Sequence, residues 1–312
     1  MESLFEMILN DAFWFAVIRA TTPILFATLG AVVASRAGAI NIGIEGTMLT
    51  AALMGVIFSA YSQSVWIGLM AAVIAGIILS IVLAYFAFKL KSNLIVTGIA
   101  INIFSAGGTV FLLSSLTGDK GTSTSLNSLV LPNIHIPIIE DMPVVGSILS
   151  GHNILTYVGL VSIIFMYILF NHMSLGLRIK AVGESPEAAE SVGIDVFKIK
   201  FISLCMSGVF AGLGGAFLSM GYVSWFSAGM TAGRGYIALA ARAIAGNTSI
   251  GALLASLLFG FADTLSNYLQ AFKIPVEFIH MTPYIMTIVG FIVISIVNSK
   301  KEINRKKKMM NE

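Results

Sequence analysis

The chain is dominated by continuous apolar runs of about twenty residues, several of them without a charge. Runs of that length match the roughly 30 Å hydrocarbon core of a bilayer when wound as helix. They are unbroken rather than two-periodic, which excludes the alternating strands of an outer-membrane barrel. Composition agrees: 57% of the residues are hydrophobic and 11% charged, against about 25% charged in a soluble domain. The expected fold class is therefore an all-α polytopic membrane protein.

Nine spans are expected, near 12–34, 44–60, 65–88, 94–116, 153–172, 199–222, 235–247, 249–270 and 280–298. The seventh is short for a crossing, and reads as a tilted or broken helix. One transmembrane domain occupies residues 1–312. It divides into a first helical half (1–116), an extracellular loop (117–152), a cytoplasmic loop (173–198), a second helical half (199–298) and a basic tail (299–312).

Lys and Arg accumulate in short cytoplasmic loops. With the tail "SKKEINRKKKMMNE" inside, the cytoplasm receives Arg36, Lys89, Lys91, Arg178, Lys180, Lys198, Lys200 and the six basic tail residues. Outside fall Lys120 and Lys273, together with Glu2, Glu6, Asp11, Asp119, Glu140, Asp141 and Glu277. The amino terminus "MESLFEMILND" is acidic and lacks the basic start and cleavage site of a signal peptide, so it is expected to be retained, outside the cell. Cys205 lies within a span and has no partner for an internal disulfide. His135, His152, His172 and His280 show no metal-ligand spacing.

Two glycine-rich breaks interrupt the apolar pattern, "SRAGAINIGIEG" after the first span and "SAGMTAGRGYIALAARAIAG" after the sixth. Interrupted segments at matching positions of two halves point to an inverted repeat whose broken helices meet near the midplane. Glu45 stands in the first break. An ionisable residue within a span is costly unless it faces protein or water. It reads either as a solute contact or as a structural group, pairing with Arg36 or capping the second helix.

Asn41, Asn102, Arg234, Asp263 and Asn267 are the other polar residues placed where a path would run. Asp263 and Asn267 are four apart and share a helical face. The asparagines also suit hydrogen bonding between helices, and Arg234 and Arg242 also suit snorkelling to headgroups. Tyr222, Trp225 and Phe226 read as base-stacking groups or as an interfacial aromatic belt.

The loop "NHMSLGLRIKAVGESPEAAESVGIDVFKIK" holds a two-turn helix with Ser185 as N-cap, Pro186 at the first position, Glu187 at the positive end and Gly193 at the stop. Its acidic face, Glu187 and Glu190, is repelled by anionic headgroups, so a protein partner is expected instead. No phosphate-loop signature, H-E-x-x-H or G-x-S-x-G occurs. An enzyme is therefore not expected.

Together, "RAGAINIGIEGTML", "LGLRIKAVGESPEAAESVGI" and "MTAGRGYIALAARAIAG" resemble the membrane subunits of ATP-binding-cassette importers, in the branched-chain amino acid, ribose and nucleoside permease family. The resemblance runs from about Thr21 to Asn298, and the "NIGIEG" form is similar to the nucleoside or simple-sugar branch. It implies a type II importer-like architecture in a bacterial plasma membrane. It also implies an ATPase subunit, carrying ATP and Mg2+, seated on a coupling helix formed by Glu184, Ser185, Pro186, Glu187, Ala188 and Ala189. The resemblance further implies a second homologous permease subunit, a solute-binding protein or lipoprotein at the outer face, and no cofactor in this chain; nucleic acid is no partner. The competing expectations are an ion-coupled transporter using Glu45 or Asp263, and a membrane scaffold that moves no solute.

Overall fold

The computed structural model describes residues 10–119, 121–140 and 145–270, with residues 285, 288, 290 and 292 beyond them. The expected span at 280–298 and the basic tail otherwise lie outside the described residues. Seven described helices are long and apolar enough to cross a membrane. They are α1 (Asp11–Arg36), α2 (Ile44–Ser62), α3 (Val65–Ala84, extended by a π-helical turn to Lys89), α4 (Leu94–Thr117), α7 (Ile154–His172), α10 (Val196–Met220) and α12 (Ser249–Leu269). Between them lie short helices α5 (Pro137–Glu140), α6 (Val145–Leu149), α8 (Ser174–Glu184), α9 (Pro186–Ser191) and α11 (Arg234–Ile244).

The expected seventh span is thus α11, with 11 residues. At 1.5 Å per residue it covers about 16 Å, half of a bilayer core. The loop read as one two-turn helix holds a second helix, α8, whose buried positions Gly176, Ile179 and Val182 recur at turn spacing.

Helix α10 is the axis of the bundle and packs against α1, α2 and α3, while α1 also packs against α11, α12 and α7. In its most apolar window α1 is 78% buried, whereas α4 is 28% buried. The outward side chains of α4, such as Phe104 and Phe111, are exposed, which places this helix at the outside of the described bundle.

Glycine sets the closeness of the axial contacts. A Cβ built on Gly76 would lie 2.3 Å from the Gly208 carbonyl oxygen, and one on Gly208 would lie 2.4 Å from the Gly76 carbonyl oxygen. These two backbones touch, as small residues at membrane-helix interfaces allow. Pro23 lies inside α1 and gives up the N–H that would bond the Arg19 carbonyl.

At the end of the bundle where α1 starts and α10 stops, the described residues between α4 and α7 form a cap. Two short strands, β1 (Asn133–Ile134) and β2 (His152–Asn153), pair antiparallel there. The Asn153 amide donates to the Leu131 and Gly221 carbonyls, both at 2.9 Å, while its oxygen caps α7 through Leu155 N–H. The cap is thereby stitched to the end of α10.

His152 is 1% exposed and stacks on Phe15 at 3.9 Å. Its Nε2 lies 2.8 Å from the Ile148 carbonyl, which can only accept, so Nε2 carries the proton and Nδ1 accepts from the Tyr222 hydroxyl at 3.2 Å. Burial, and to a lesser degree Arg19, pushes the imidazole below its usual range, outweighing the opposite pull of the Ile148 carbonyl. A histidine whose folded pKa is depressed takes up its proton more readily in the unfolded chain. Stability is therefore lost as pH falls below the unfolded value of about 6.5, down to the folded pKa. Thermal unfolding of the purified protein in detergent at pH 7.5 and 5.5 is expected to show a drop in melting temperature, which His152→Gln reduces.

Candidate functional site: the two breaks and their cavities

Residues 37–43 follow α1 and lead back into α2. Their course is fixed by α11. Below its C-terminal end, Arg36 Nε donates to the Asn247 carbonyl at 2.6 Å, and Arg242 Nη1 donates to the Ser35 hydroxyl. At its N-terminal end, Glu45 accepts from Gly233 N–H at 2.9 Å through Oε1 and from Gly235 N–H at 2.7 Å through Oε2. The first break therefore climbs the length of α11 and grips both ends of it.

Each contact matches the helix dipole, with an anion at the positive end and a cation at the negative end. The first N–H groups of a helix lack partners within it, and those of α11 are met from another element. Glu45 supplies two. It does not pair with Arg36, and it caps α11 rather than α2, because α11 begins beside it. Gly235 is required at this contact: a Cβ there would lie 2.7 Å from both Glu45 Cα and N.

Asn102, 8% exposed, joins three elements at the same level. Its oxygen accepts from Gly46 N–H at 2.8 Å, and its amide donates to the Ile42 carbonyl at 2.9 Å and to the Tyr236 hydroxyl at 3.0 Å. Asn41 anchors the break to α10 through the Ser207 hydroxyl at 3.0 Å. Glu45, Asn102 and Tyr236 line a 410 Å³ cavity with the glycine-rich residues Gly229 and Gly233.

A second cavity, of 420 Å³, lies between α1, α10, α11 and α12. Arg234 and Asp263 meet on its wall, Nη2 to Oδ2 at 3.0 Å, each with a side chain 21% exposed. Asn267, one turn beyond Asp263, also lines it, as the shared helical face requires. So do Tyr222, Tyr268 and Arg19, whose guanidinium lies 5.1 Å over the Tyr222 ring. Of the three aromatics at the second break, Tyr222 reaches a cavity, Phe226 is fully buried and Trp225 is 41% exposed.

The structure thus sorts the sequence candidates into two groups. Asn41, Glu45 and Asn102 hold the first break, while Arg234, Asp263 and Asn267 surround the second cavity. Arg19 and Tyr236 were not singled out from the sequence. Arg19 had a signal, as the sole charge inside the run 12–34; Tyr236 had none beyond its position beside the second break.

On the short loop helix, Ser185 Oγ accepts from Ala188 N–H at 3.3 Å and Gly193 turns with φ +83. Glu184, Ser185, Pro186, Glu187 and Ala188 are exposed, while Ala189 is buried and anchors the helix. Behind it, α8 meets the first break at backbone distance: a Cβ on Gly183 would lie 2.0 Å from the Arg36 carbonyl oxygen.

A profile described as the permease component of the branched-chain amino acid transport system matches residues 13–297. The chain belongs to that family. It is 36% identical to the guanosine ABC transporter permease protein NupQ of Bacillus subtilis, over 86% of this chain and 88% of that one. It is 31% identical to the nucleoside ABC transporter permease protein NupC of Lactococcus lactis, over 86% and 87%. A putative glucose ABC transporter permease protein, TsgC13 of Haloferax volcanii, is 32% identical over 84% and 79%. Among solved structures, PsaBC from Streptococcus pneumoniae matches with a TM-score of 0.52 and 14% identity, covering 92% of this chain and 95% of that one, a likeness of fold. The chain is a multi-pass membrane permease, and its family consists of transport components rather than catalysts.

Removing the Glu45 carboxylate leaves two helix-end N–H groups without their charged acceptor. Each such loss costs about 1–3 kcal/mol. Glu45→Ala is expected to lower the melting temperature of the detergent-solubilised protein by several degrees, Glu45→Gln by less, and Gly235→Ala to disturb the same contact by displacing Glu45.

Proposed function

We propose that the chain is one permease subunit of an ATP-driven importer that moves a nucleoside by alternating access. The observation that carries the substrate class is its likeness, at 31–36% identity over most of both chains, to permeases named for guanosine and nucleoside transport. A simple sugar is the second reading, favoured by the putative glucose permease at 32% identity. The homologous pair NupB and NupC, both similar to this chain and both from Lactococcus lactis, supports a second permease subunit beside it.

In this reading the basic loops and tail face the cytoplasm and the cap between α4 and α7 faces outward, where a solute-binding protein or lipoprotein delivers solute. The full assembly has nine spans per chain, and the two breaks are corresponding parts of an inverted repeat. Asn41, Glu45, Asn102, Arg234, Asp263 and Asn267 belong to the path or to the breaks that shape it. An ATPase subunit, which binds ATP and Mg2+, seats against Glu184, Ser185, Pro186, Glu187 and Ala188, with Ala189 holding the helix in place.

The chain of contacts supports a mechanical route. Force on α9 passes to α8, whose Gly183 abuts the Arg36 carbonyl, and Arg36 in turn holds the lower end of α11. Because Glu45 holds the upper end, α11 and the first break move as one body. Ion-coupled transport is disfavoured by the engagement of its two candidate carboxylates, Glu45 with backbone N–H groups and Asp263 with Arg234.

Purification from native membranes in mild detergent tests this reading. An ATPase subunit is expected to stay bound to the wild type and to be lost with Glu187→Arg combined with Ala188→Arg, both on an exposed face. Purification of the wild-type chain alone, active in uptake without ATP, would overturn it.

A further inference from the structure

The two cavities differ in what their polar groups have left to offer. Around the first, the Glu45 oxygens are engaged by Gly233 and Gly235 N–H, and Asn102 uses both its oxygen and its amide. Around the second, Arg19 is exposed at the cavity wall, and its guanidinium makes no hydrogen bond or ion pair among the described residues. Asp263 Oδ1 and the Asn267 amide are likewise without hydrogen bonds there, since only Asp263 Oδ2 is held by Arg234. At 420 Å³ this cavity falls within the roughly 300–1,000 Å³ of small-molecule sites.

Its open valences form a pattern. Arg19 presents donors in a planar fork, and its guanidinium carbon lies 5.1 Å over the Tyr222 ring. Asp263 Oδ1 accepts, as sugar hydroxyls need, and Asn267 both donates and accepts. An arginine fork complements two adjacent acceptors, the O6 and N7 of a 6-oxopurine. Adenine presents a donor at N6 beside N7 and is matched instead by Gln or Asn.

Resting on the nucleoside reading above, we infer that this cavity is a selective station for 6-oxopurine nucleosides. Arg19 takes the O6/N7 edge of the base, while Asp263 and Asn267 take ribose hydroxyls. The site discriminates among solutes handed over by the delivering protein, through a residue that plays no part in the clamp on α11.

Uptake of radiolabelled inosine and adenosine by the full transporter, with its own ATPase and delivering protein, tests the assignment. Because the delivering protein is the same throughout, a change in the inosine-to-adenosine ratio reports this chain. Arg19→Met is expected to lower the ratio by roughly five- to a hundredfold, the discrimination of one bidentate pair. Arg19→Gln is expected to shift preference to adenosine, a gain that a folding defect does not produce. An unchanged ratio in both variants, or a parallel fall in both nucleosides, overturns the inference while leaving nucleoside transport standing. Failure of the wild-type complex to move either nucleoside, with uptake of a hexose, overturns the inference and the nucleoside reading together.

Discussion

The first N–H groups of a helix have no partner within it, and for α11 the carboxylate of Glu45, from another helix, supplies one. Its two oxygens serve Gly233 and Gly235. Without that carboxylate, these two N–H groups lose their charged acceptor. The first break is shaped by the same requirement. Residues 35–45 meet α11 at both ends because Ser35 accepts from its Arg242, Arg36 donates just beyond its lower end, and Glu45 holds its upper. Asn102 then ties this pair to α4, and Asn41 ties it to α10.

Much of the fold was legible because a bilayer imposes length. The spans at 44–60 and 94–116 lie within two residues of the helices Ile44–Ser62 and Leu94–Thr117. Ser185 and Gly193 marked their helix correctly because caps act locally, between residues close in sequence. The role of Glu45 could be narrowed to holding a break or touching solute, yet not to the right helix. Its partners lie 188 and 190 residues away, and nothing in the local pattern encodes that distance. Arg19 was hidden for the opposite reason: the run around it is so apolar that a single charge did not interrupt it. Helix α8 was missed because its buried face includes Gly176, which carries no hydrophobic signal.

The two cavities share α11, which contributes Arg234 to one and Tyr236 to the other. A short helix held at both ends therefore borders two chambers at once, and any displacement changes both. Arg234 adds a second constraint, since its bond to Asp263 joins α11 to α12. Helix α11 is thus tied to α12 as well as to the break, so the clamp is lateral as well as axial.

The backbone contact between Gly76 and Gly208 bears on a different demand. A transporter that changes shape in an energised membrane must not short-circuit it: a single file of water between helices conducts protons. Where two backbones touch without side chains between them, no such file fits. At Gly76 and Gly208 the α3–α10 seam leaves no room for such a file, and the first break is anchored beside it, through Asn41 to the neighbouring Ser207.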